Sequence, residues 1–115
     1  MSSHDELITN GKNKFTVYCS RCPSKILNSG MASYSETTYN LPQMHHKKDG
    51  NPSEGEDITG YWQVADIYTF ENLGFSNTVD KIKYLICADC EIGPIGWHDL
   101  SSKQSYIALS RVKHS

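Results

Sequence analysis

The residues best suited to chemistry in this 115-residue sequence are its four cysteines, which form two Cys-x-x-Cys pairs. The cysteines stand at Cys19, Cys22, Cys87 and Cys90. Structural Zn²⁺ takes four tetrahedral ligands, and two pairs of this spacing supply four thiolates. Because four thiolates leave no coordination position open for a substrate, we predict one structural zinc ion rather than a catalytic one.

The long interval between the two pairs separates this site from a local zinc finger. There are 64 residues between Cys22 and Cys87. A metal ion held by both pairs therefore joins distant parts of one domain. A redox role for the dithiols is the alternative, but two identical motifs are more than one redox reaction needs.

Strands are the elements that must position these cysteines. Runs rich in β-branched and aromatic residues are typical of strands, and two of the runs lead directly into the cysteine pairs. The last run is apolar on both faces, which favours a central position in a sheet. We find no convincing helical period, so we predict a mainly β fold with antiparallel sheets. The predicted strands cover residues 15–18, 24–27, 31–39, 61–70, 81–86 and 105–112.

Between and before these strands, the sequence predicts two segments without regular structure. Residues 1–13 are polar and are expected to form a flexible N-terminal leader. Residues 41–60 contain Pro, Gly and two adjacent histidines with few apolar side chains, and are expected to form a long exposed loop. The remaining chain, residues 14–115, is short enough for a single domain.

Composition and charge argue against several classes of function. The formal net charge is −2 and the isoelectric point is near 6.2, so the sequence lacks the basic field that nucleic-acid binding needs. No apolar run is long enough to span a membrane, and the N-terminal residues do not have the pattern of a secretory signal. We therefore expect a cytosolic protein, a compartment in which four cysteines favour metal binding over disulfides.

Longer motifs around the cysteines match one family. The segment Leu85–His98, with the letters LICADCEIGPIGWH, resembles the signature of the Rab-interacting factor family, the suppressors of the Sec-four GTPase. Val17–Cys22 is similar to its first cysteine motif, and Trp62–Phe75 to its middle motif. The segments Leu41–Met44 and Tyr106–Val112 also fit, so the resemblance extends from about residue 15 to the end.

The resemblance implies a β-tent of antiparallel sheets that meet beneath one zinc ion. Members of this family bind exocytic Rab GTPases, expel GDP and hold the nucleotide-free form, acting as weak exchange factors or as chaperones. We therefore expect a monomer with one Zn²⁺ and a Rab-family partner, preferably nucleotide-free. No phosphate-binding Gly-x-x-x-x-Gly-Lys-Ser/Thr motif is present, so the nucleotide belongs to the partner.

Several residues are candidates for contact with the partner. The middle motif places Asp66, Ile67 and Tyr68 at the Rab surface, although Ile67 and Tyr68 would also be ordinary core residues. A regular strand would set Asp66 and Tyr68 on one face. The departure from the family pattern is Ala65, where other members often carry an acidic residue.

Further candidates lie near the metal site and at the start of the predicted loop. The resemblance suggests that Asp89, between two zinc ligands, contacts a basic Rab surface, whereas its simpler role is a hydrogen bond within the turn. Phe15 is expected to add an edge contact. The apolar side chains of Leu41 and Met44 are unusual in an exposed loop unless they pack or bind.

The remaining aromatic and histidine residues have simpler expected roles. Trp62 and Trp97 are expected to lie in the core, and His98 to be a hydrogen-bonded neighbour of the metal site. Methionine-R-sulfoxide reductases resemble the same fold, but their chemistry needs a catalytic cysteine beyond the four that bind metal. A non-catalytic scaffold with that fold is the alternative function.

Overall fold

The chain folds almost entirely into antiparallel β structure, which confirms the predicted fold class. The computed structural model describes residues 6–43, 45–46 and 55–115. The strands in these residues are β1 (Ile8–Thr9), β2 (Lys12–Asn13), β3 (Val17–Cys19), β4 (Lys25–Leu27), β5 (Ser33–Pro42), β6 (His45–His46), β7 (Gly55–Val64), β8 (Leu73–Val79), β9 (Ile82–Cys87), β10 (Ile92–Gly93), β11 (Gly96–Asp99), β12 (Gln104–Ala108) and β13 (Val112–His114).

Three sheets organise these strands. The largest has eight strands in the order β1-β2-β5-β7-β12-β11-β9-β8. The second has the order β13-β3-β4, and the third pairs β10 with β6. Strand β12 lies between β7 and β11, so the central position predicted for residues 105–112 is confirmed for the part that enters this sheet. The chain then passes through a short 3₁₀ helix, Leu109–Arg111, into β13 of the second sheet.

The main core lies between the eight-stranded and three-stranded sheets. Trp62 is fully buried there, and its indole N–H donates to Nε2 of His114 on β13 at 2.9 Å. This contact ties the two sheets together. The cluster contains Val17, Cys19, Ile26, Leu27, Ala32, Trp62, Val64, Leu85, Cys87, Ile95, Ile107, Leu109 and Val112.

A second, aromatic cluster covers another part of the large sheet. Trp97 is buried between two stacked rings, with centroid distances of 4.3 Å to Tyr39 and 4.1 Å to Tyr106. Tyr39 lies on β5 and Trp97 on β11, three strands away in the sheet, so the sheet curves strongly to bring them together. The core positions predicted for Trp62 and Trp97 are confirmed.

The N-terminal segment departs from the predicted leader. Residues 8–13 form the hairpin β1–β2, and Lys12 pairs with Ser33 of β5. The side chain of Asn13 is buried and donates to the carbonyls of Phe15 and Asn28, while it accepts from the amide of Ala32. Polar composition suggested mobility, but this asparagine satisfies buried backbone groups instead.

The expected loop over residues 41–60 is wrong at both ends. Strand β5 continues to Pro42 and β7 begins at Gly55, and Leu41 pairs with Glu56 across the two strands. Leu41 and Ile58 are buried in the aromatic cluster. Few residues here are apolar because only one face of this hairpin is covered. Residues 44 and 47–54 lie outside the described residues.

The predicted strand over residues 61–70 ends early, and a further strand was missed. Strand β7 stops at Val64, and Ile67–Thr69 form a 3₁₀ helix capped by Asp66. Asp66 and Tyr68 therefore do not alternate along a strand with Val64 and Phe70. Strand β8 was not predicted, because Gly74 and Asn77 favour turns in isolation. In the structure it pairs with β9 from Leu73 onward. Within the described residues, no helix is long and apolar enough to cross a membrane.

Candidate metal centre and contact surface

All four cysteine sulfurs converge in one cluster, at the place where the three-stranded sheet meets the eight-stranded one. The Sγ atoms of Cys19 and Cys90 are 3.7 Å apart, and those of Cys22 and Cys87 are 3.5 Å apart. All four sulfurs lie within 4.8 Å of one another. A tetrahedral ion with metal–sulfur bonds of about 2.3 Å requires sulfur–sulfur distances of about 3.8 Å. The cluster therefore fits one metal ion.

Strand ends and tight turns position the sulfurs. Cys19 is the last residue of β3, and its backbone amide donates to the carbonyl of Ser24 at 2.9 Å, which closes the first turn. The amide of Arg21 points at Cys19 Sγ from 3.3 Å. Cys87 ends β9, and its carbonyl accepts from the amide of Glu91 at 2.9 Å. Each Cys-x-x-Cys pair thus forms a turn supported by a strand, as the sequence predicted.

Burial and hydrogen bonding set the pKa values of these thiols in the absence of metal. Burial raises the pKa of Cys90 to about 12 and also raises the pKa of Cys87 above its ordinary value. A hydrogen bond with Ser24 lowers the pKa of Cys22 to about 7. At neutral pH the metal-free site therefore keeps protons on Cys87 and Cys90, and a metal ion must displace them to bind.

A polar contact joins the two cysteine turns. The hydroxyl of Ser24, two residues after Cys22, donates to the carboxylate of Asp89 in the second turn. Asp89 is nevertheless exposed, so part of its carboxylate faces solvent. The residue thus forms a hydrogen bond between the two turns, and its expected contact with a partner stays a prediction.

The predicted contact triplet lies on the 3₁₀ helix, where each residue has a different environment. The carboxylate of Asp66 accepts from the amide of Tyr68 at 2.9 Å and caps the helix. Ile67 is half-buried and packs against the main core. Tyr68 is 91% exposed, the most exposed large apolar side chain in the described residues. Tyr68 is therefore the apolar side chain of this triplet that is presented to solvent.

An apolar groove surrounds Tyr68. It has a volume of about 340 Å³. Phe75 lies at its edge, partly exposed, with Nζ of Lys83 over the ring at 5.3 Å from the centroid. We call residues 66–75 the contact segment. The groove is lined by Ile67, Tyr68, Phe70, Leu73 and Phe75.

Three other expected site residues have different outcomes. Leu41 is fully buried, so the expected surface contact at this position is corrected to a core role. Phe15 is half-buried, with Nζ of Lys14 lying 5.5 Å from its ring centroid, and its expected role in partner contact stays a prediction. Met44 lies outside the described residues.

His98 is not a neighbour of the metal centre as expected. It pairs with Lys83 across β11 and β9, four residues before Cys87, which places it roughly 13 Å along the strand from that ligand. Its Nδ1 is 2.8 Å from the Ser105 hydroxyl. Burial and nearby Lys83 lower the pKa of His98, so the ring is neutral at pH 7.

Arg111 is the important buried residue that the sequence analysis missed. Its guanidinium donates to the carbonyls of Pro42 at 2.6 Å and Pro94 at 2.8 Å, and it pairs with Glu56 at 3.3 Å. It thereby joins the β5–β7 hairpin to the turn after β10. The only signal in the sequence is a charged residue inside the apolar run that ends at Val112.

We predict that the purified protein contains one tightly bound metal ion per chain and unfolds when that ion is removed. Elemental mass spectrometry should give a stoichiometry near one, and circular dichroism with a strong chelator should show loss of the native spectrum. The reason is that the ion would join two turns that follow strands of different sheets and are 64 residues apart in the sequence. An intact spectrum and an unchanged melting temperature after complete metal removal would contradict this.

Metal affinity should fall steeply as the pH is lowered below 7. Because Cys87 and Cys90 hold protons at neutral pH when no metal is bound, binding releases at least two protons. The apparent dissociation constant should then rise at least about 100-fold per pH unit. Competition with a colorimetric chelator at several pH values measures this slope. If log Kd changed by less than one per pH unit, these thiols would already be ionised in the metal-free protein.

Comparison with known proteins assigns the chain to a family. The family model described as Mss4 protein matches residues 12–114, which is most of the chain and includes all four cysteines. A Drosophila melanogaster protein named guanine nucleotide exchange factor MSS4 homolog is 46% identical over 111 residues, covering 95% of this chain and 91% of that protein. A Schizosaccharomyces pombe protein of the same name is 29% identical over 98 residues, covering 84% and 93%. The chain belongs to the Mss4 family.

Proposed function

We propose that this protein binds Rab-family GTPases, accelerates release of their GDP and stabilises the nucleotide-free form. Its relatives in fly and fission yeast carry the name guanine nucleotide exchange factor, which is the single observation that supports this function most directly. The protein acts as a monomer in the cytosol and by binding alone. It therefore serves as an exchange factor, as a chaperone of empty GTPases, or as both.

The contact segment is the surface best suited to such a partner. Exposed aromatic side chains beside an apolar groove are typical of binding hot spots. Tyr68 and Phe75 provide such a surface, and the exposed carboxylates of Asp66 and Asp89 add negative charge near it. A hydrophobic centre with acidic residues around it fits a GTPase surface that carries apolar and basic residues.

Linkage explains how binding alone releases a nucleotide. A protein that binds the empty GTPase more tightly than the loaded one must weaken nucleotide binding by the same factor. An acceleration of about a thousandfold needs about 4 kcal/mol of preferential stabilisation. A few well-packed residues supply that amount, since one hot-spot side chain contributes about 2 kcal/mol or more.

The metal ion in this proposal is Zn²⁺ in a structural role. Four thiolates with sulfur–sulfur distances of 3.5 and 3.7 Å match the tetrahedral, soft-ligand preference of zinc. All four cysteines of the sequence lie in this cluster, so none is left as the nucleophile that a sulfoxide reductase would need. The ion supplies rigidity, and the residues beside it contact the partner.

Release of a fluorescent GDP analogue from purified Rab GTPases tests the proposal. The protein should accelerate release from at least one exocytic Rab and form a nucleotide-free complex that is stable in size-exclusion chromatography. Tyr68→Ala should slow the release at least about tenfold, because it removes the exposed ring while leaving the core intact.

Met31→Ala is the matched control for Tyr68→Ala. Met31 is another exposed apolar side chain, 50% accessible, and it lies outside the contact segment. Its replacement should leave the release rate unchanged. Failure of the unmodified protein to accelerate release from any Rab, together with the absence of a complex, would overturn the proposed function.

A second prediction concerns Asp89. Asp89→Ala should weaken Rab binding while the metal content stays at one per chain, because its exposed carboxylate faces the partner. Ser24→Ala is the comparison variant, since it removes the hydrogen bonds of Ser24 to Asp89 and to Cys22 Sγ but leaves the carboxylate in place. Titration calorimetry with nucleotide-free Rab compares the two. Equal losses of affinity, or loss of metal in both variants, would show that Asp89 acts only within the site.

A further inference from the structure

Two consecutive residues, Glu71 and Asn72, attach the contact segment to the second cysteine turn and to the sheet that carries the first. The amide of Glu71 donates to the carbonyl of Ile26 on β4 at 2.8 Å. The side-chain amide of Asn72 donates to the carbonyl of Lys25, also on β4, at 3.0 Å. Strand β4 is the partner of β3, which carries Cys19. One side of this attachment therefore lies on the sheet of the first cysteine turn.

The second side of the attachment lies on the other cysteine turn. The carbonyl of Asn72 accepts from the amide of Ala88, inside the Cys-x-x-Cys turn, at 2.8 Å. The next residue, Leu73, pairs with Cys87 at the start of the β8–β9 ladder. Asn72 thus bridges the two halves of the protein that the metal ion also joins.

The side chain of Glu71 adds contacts with β4 and the residue after it. Its Oε2 accepts from Asn28 at 3.0 Å and lies 3.3 Å from Nζ of Lys25. This ion pair is partly exposed, so it contributes little to stability. The main effect of the ion pair is on position. Together with the backbone hydrogen bond of Glu71, it holds this residue against β4. We call Glu71, Asn72 and these contacts the latch.

The backbone at Asn72 also fits this role. Its φ is +52°, in the left-handed region that asparagine tolerates better than most residues. This conformation turns the chain sharply, so that the 3₁₀ helix with Tyr68 precedes the turn and the strand beside Cys87 follows it. The position of Tyr68 is therefore set by contacts to the metal-binding framework and not by the 3₁₀ helix alone.

We propose that Glu71 and Asn72 are positioning residues for nucleotide release, which hold the contact segment in register with the metal-stapled turns. This inference rests on the proposed function for its kinetic consequence. The latch makes the shape of the contact surface depend on the metal centre. Its loss would let the Tyr68 helix move relative to Asp89, so that the two contact regions no longer meet the partner together.

Asn72→Gly is the sharpest test, because glycine accepts a positive φ and keeps the backbone bond to Ala88 while the bond to Lys25 is lost. Loss of one such bond should slow GDP release about two- to tenfold. Metal content should stay at one per chain. Hydrogen exchange measured by mass spectrometry should become faster at residues 67–70, while β9 and β12 keep their protection.

A double-mutant cycle distinguishes positioning from general weakening of the fold. In a Tyr68→Ala background, Asn72→Gly should slow release no further, because the latch acts through Tyr68. Asn40→Ala is the matched control, since it removes a 3.0 Å hydrogen bond from Asn40 to Asp57 on the β5–β7 hairpin. It should leave both release and the exchange of residues 67–70 unchanged.

The outcomes separate the two proposals. Unchanged hydrogen exchange at residues 67–70 in Asn72→Gly would overturn the latch, whatever the Rab assay shows. Additive effects of Asn72→Gly and Tyr68→Ala would also overturn it, by showing that the residue acts on stability. If the unmodified protein does not accelerate GDP release from any Rab, the proposed function fails. Faster hydrogen exchange at residues 67–70 in Asn72→Gly would still show that the latch holds the contact segment in place.

Discussion

The fold brings two cysteine pairs that stand 64 residues apart in the sequence into one cluster that fits a single metal ion. Structural zinc contributes on the order of 10–16 kcal/mol of apparent folding free energy in small domains. The total stability of an ordinary domain is about 5–15 kcal/mol. A bound zinc ion would therefore contribute a free energy comparable to the whole stability of the domain, in addition to the core between the three-stranded and eight-stranded sheets. Direct links elsewhere, such as the Trp62–His114 hydrogen bond, are weaker by about tenfold.

The contact segment is attached beside the cysteine cluster, and this attachment limits its mobility. The contact segment runs from the end of the large sheet past β4 and back to β9, so it touches both elements that the metal joins. Apolar and aromatic side chains on short loops are usually mobile, and mobility lowers affinity because ordering must occur on binding. Here the loop is attached by backbone hydrogen bonds to rigid strands. A stiff contact surface suits the proposed role of holding a GTPase without its nucleotide.

The buried side chain of Arg111 makes a second set of contacts between distant parts of the chain. The guanidinium makes two short bonds to carbonyls of Pro42 and Pro94, and its charge is balanced by Glu56. A buried cation without partners would cost several kcal/mol, so this arrangement is stable only when all three partners are in place. The residue lies in the 3₁₀ helix between β12 and β13, the connection between the two larger sheets. Its guanidinium joins the β5–β7 hairpin to the turn after β10, whereas the cysteine cluster joins the two larger sheets.

The relation between sequence and structure differs from element to element. Strands β3, β4, β9 and the central β12 were predicted because β-branched and aromatic residues are concentrated there. Strand β8 was missed, and so was the part of the β5–β7 hairpin formed by residues 40–42 and 55–60. The glycine, asparagine and charged residues of these segments favour turns in isolation. These segments become strands only because neighbouring strands supply their hydrogen bonds. Local composition carries no information about a partner that is distant in sequence.

Residue types and their spacing were enough to predict the metal site and the family. Two Cys-x-x-Cys pairs supply four soft ligands suited to one ion, and the motifs around them are those of the family. Which candidate residues are accessible depends on the folded structure: it buries Leu41, caps a helix with Asp66, exposes Tyr68 and joins the contact segment to β4 and to the second cysteine turn. The physical reason is that ligand type and spacing are local properties of the chain. Exposure and attachment depend on contacts between residues far apart in sequence, and these exist only in the folded protein.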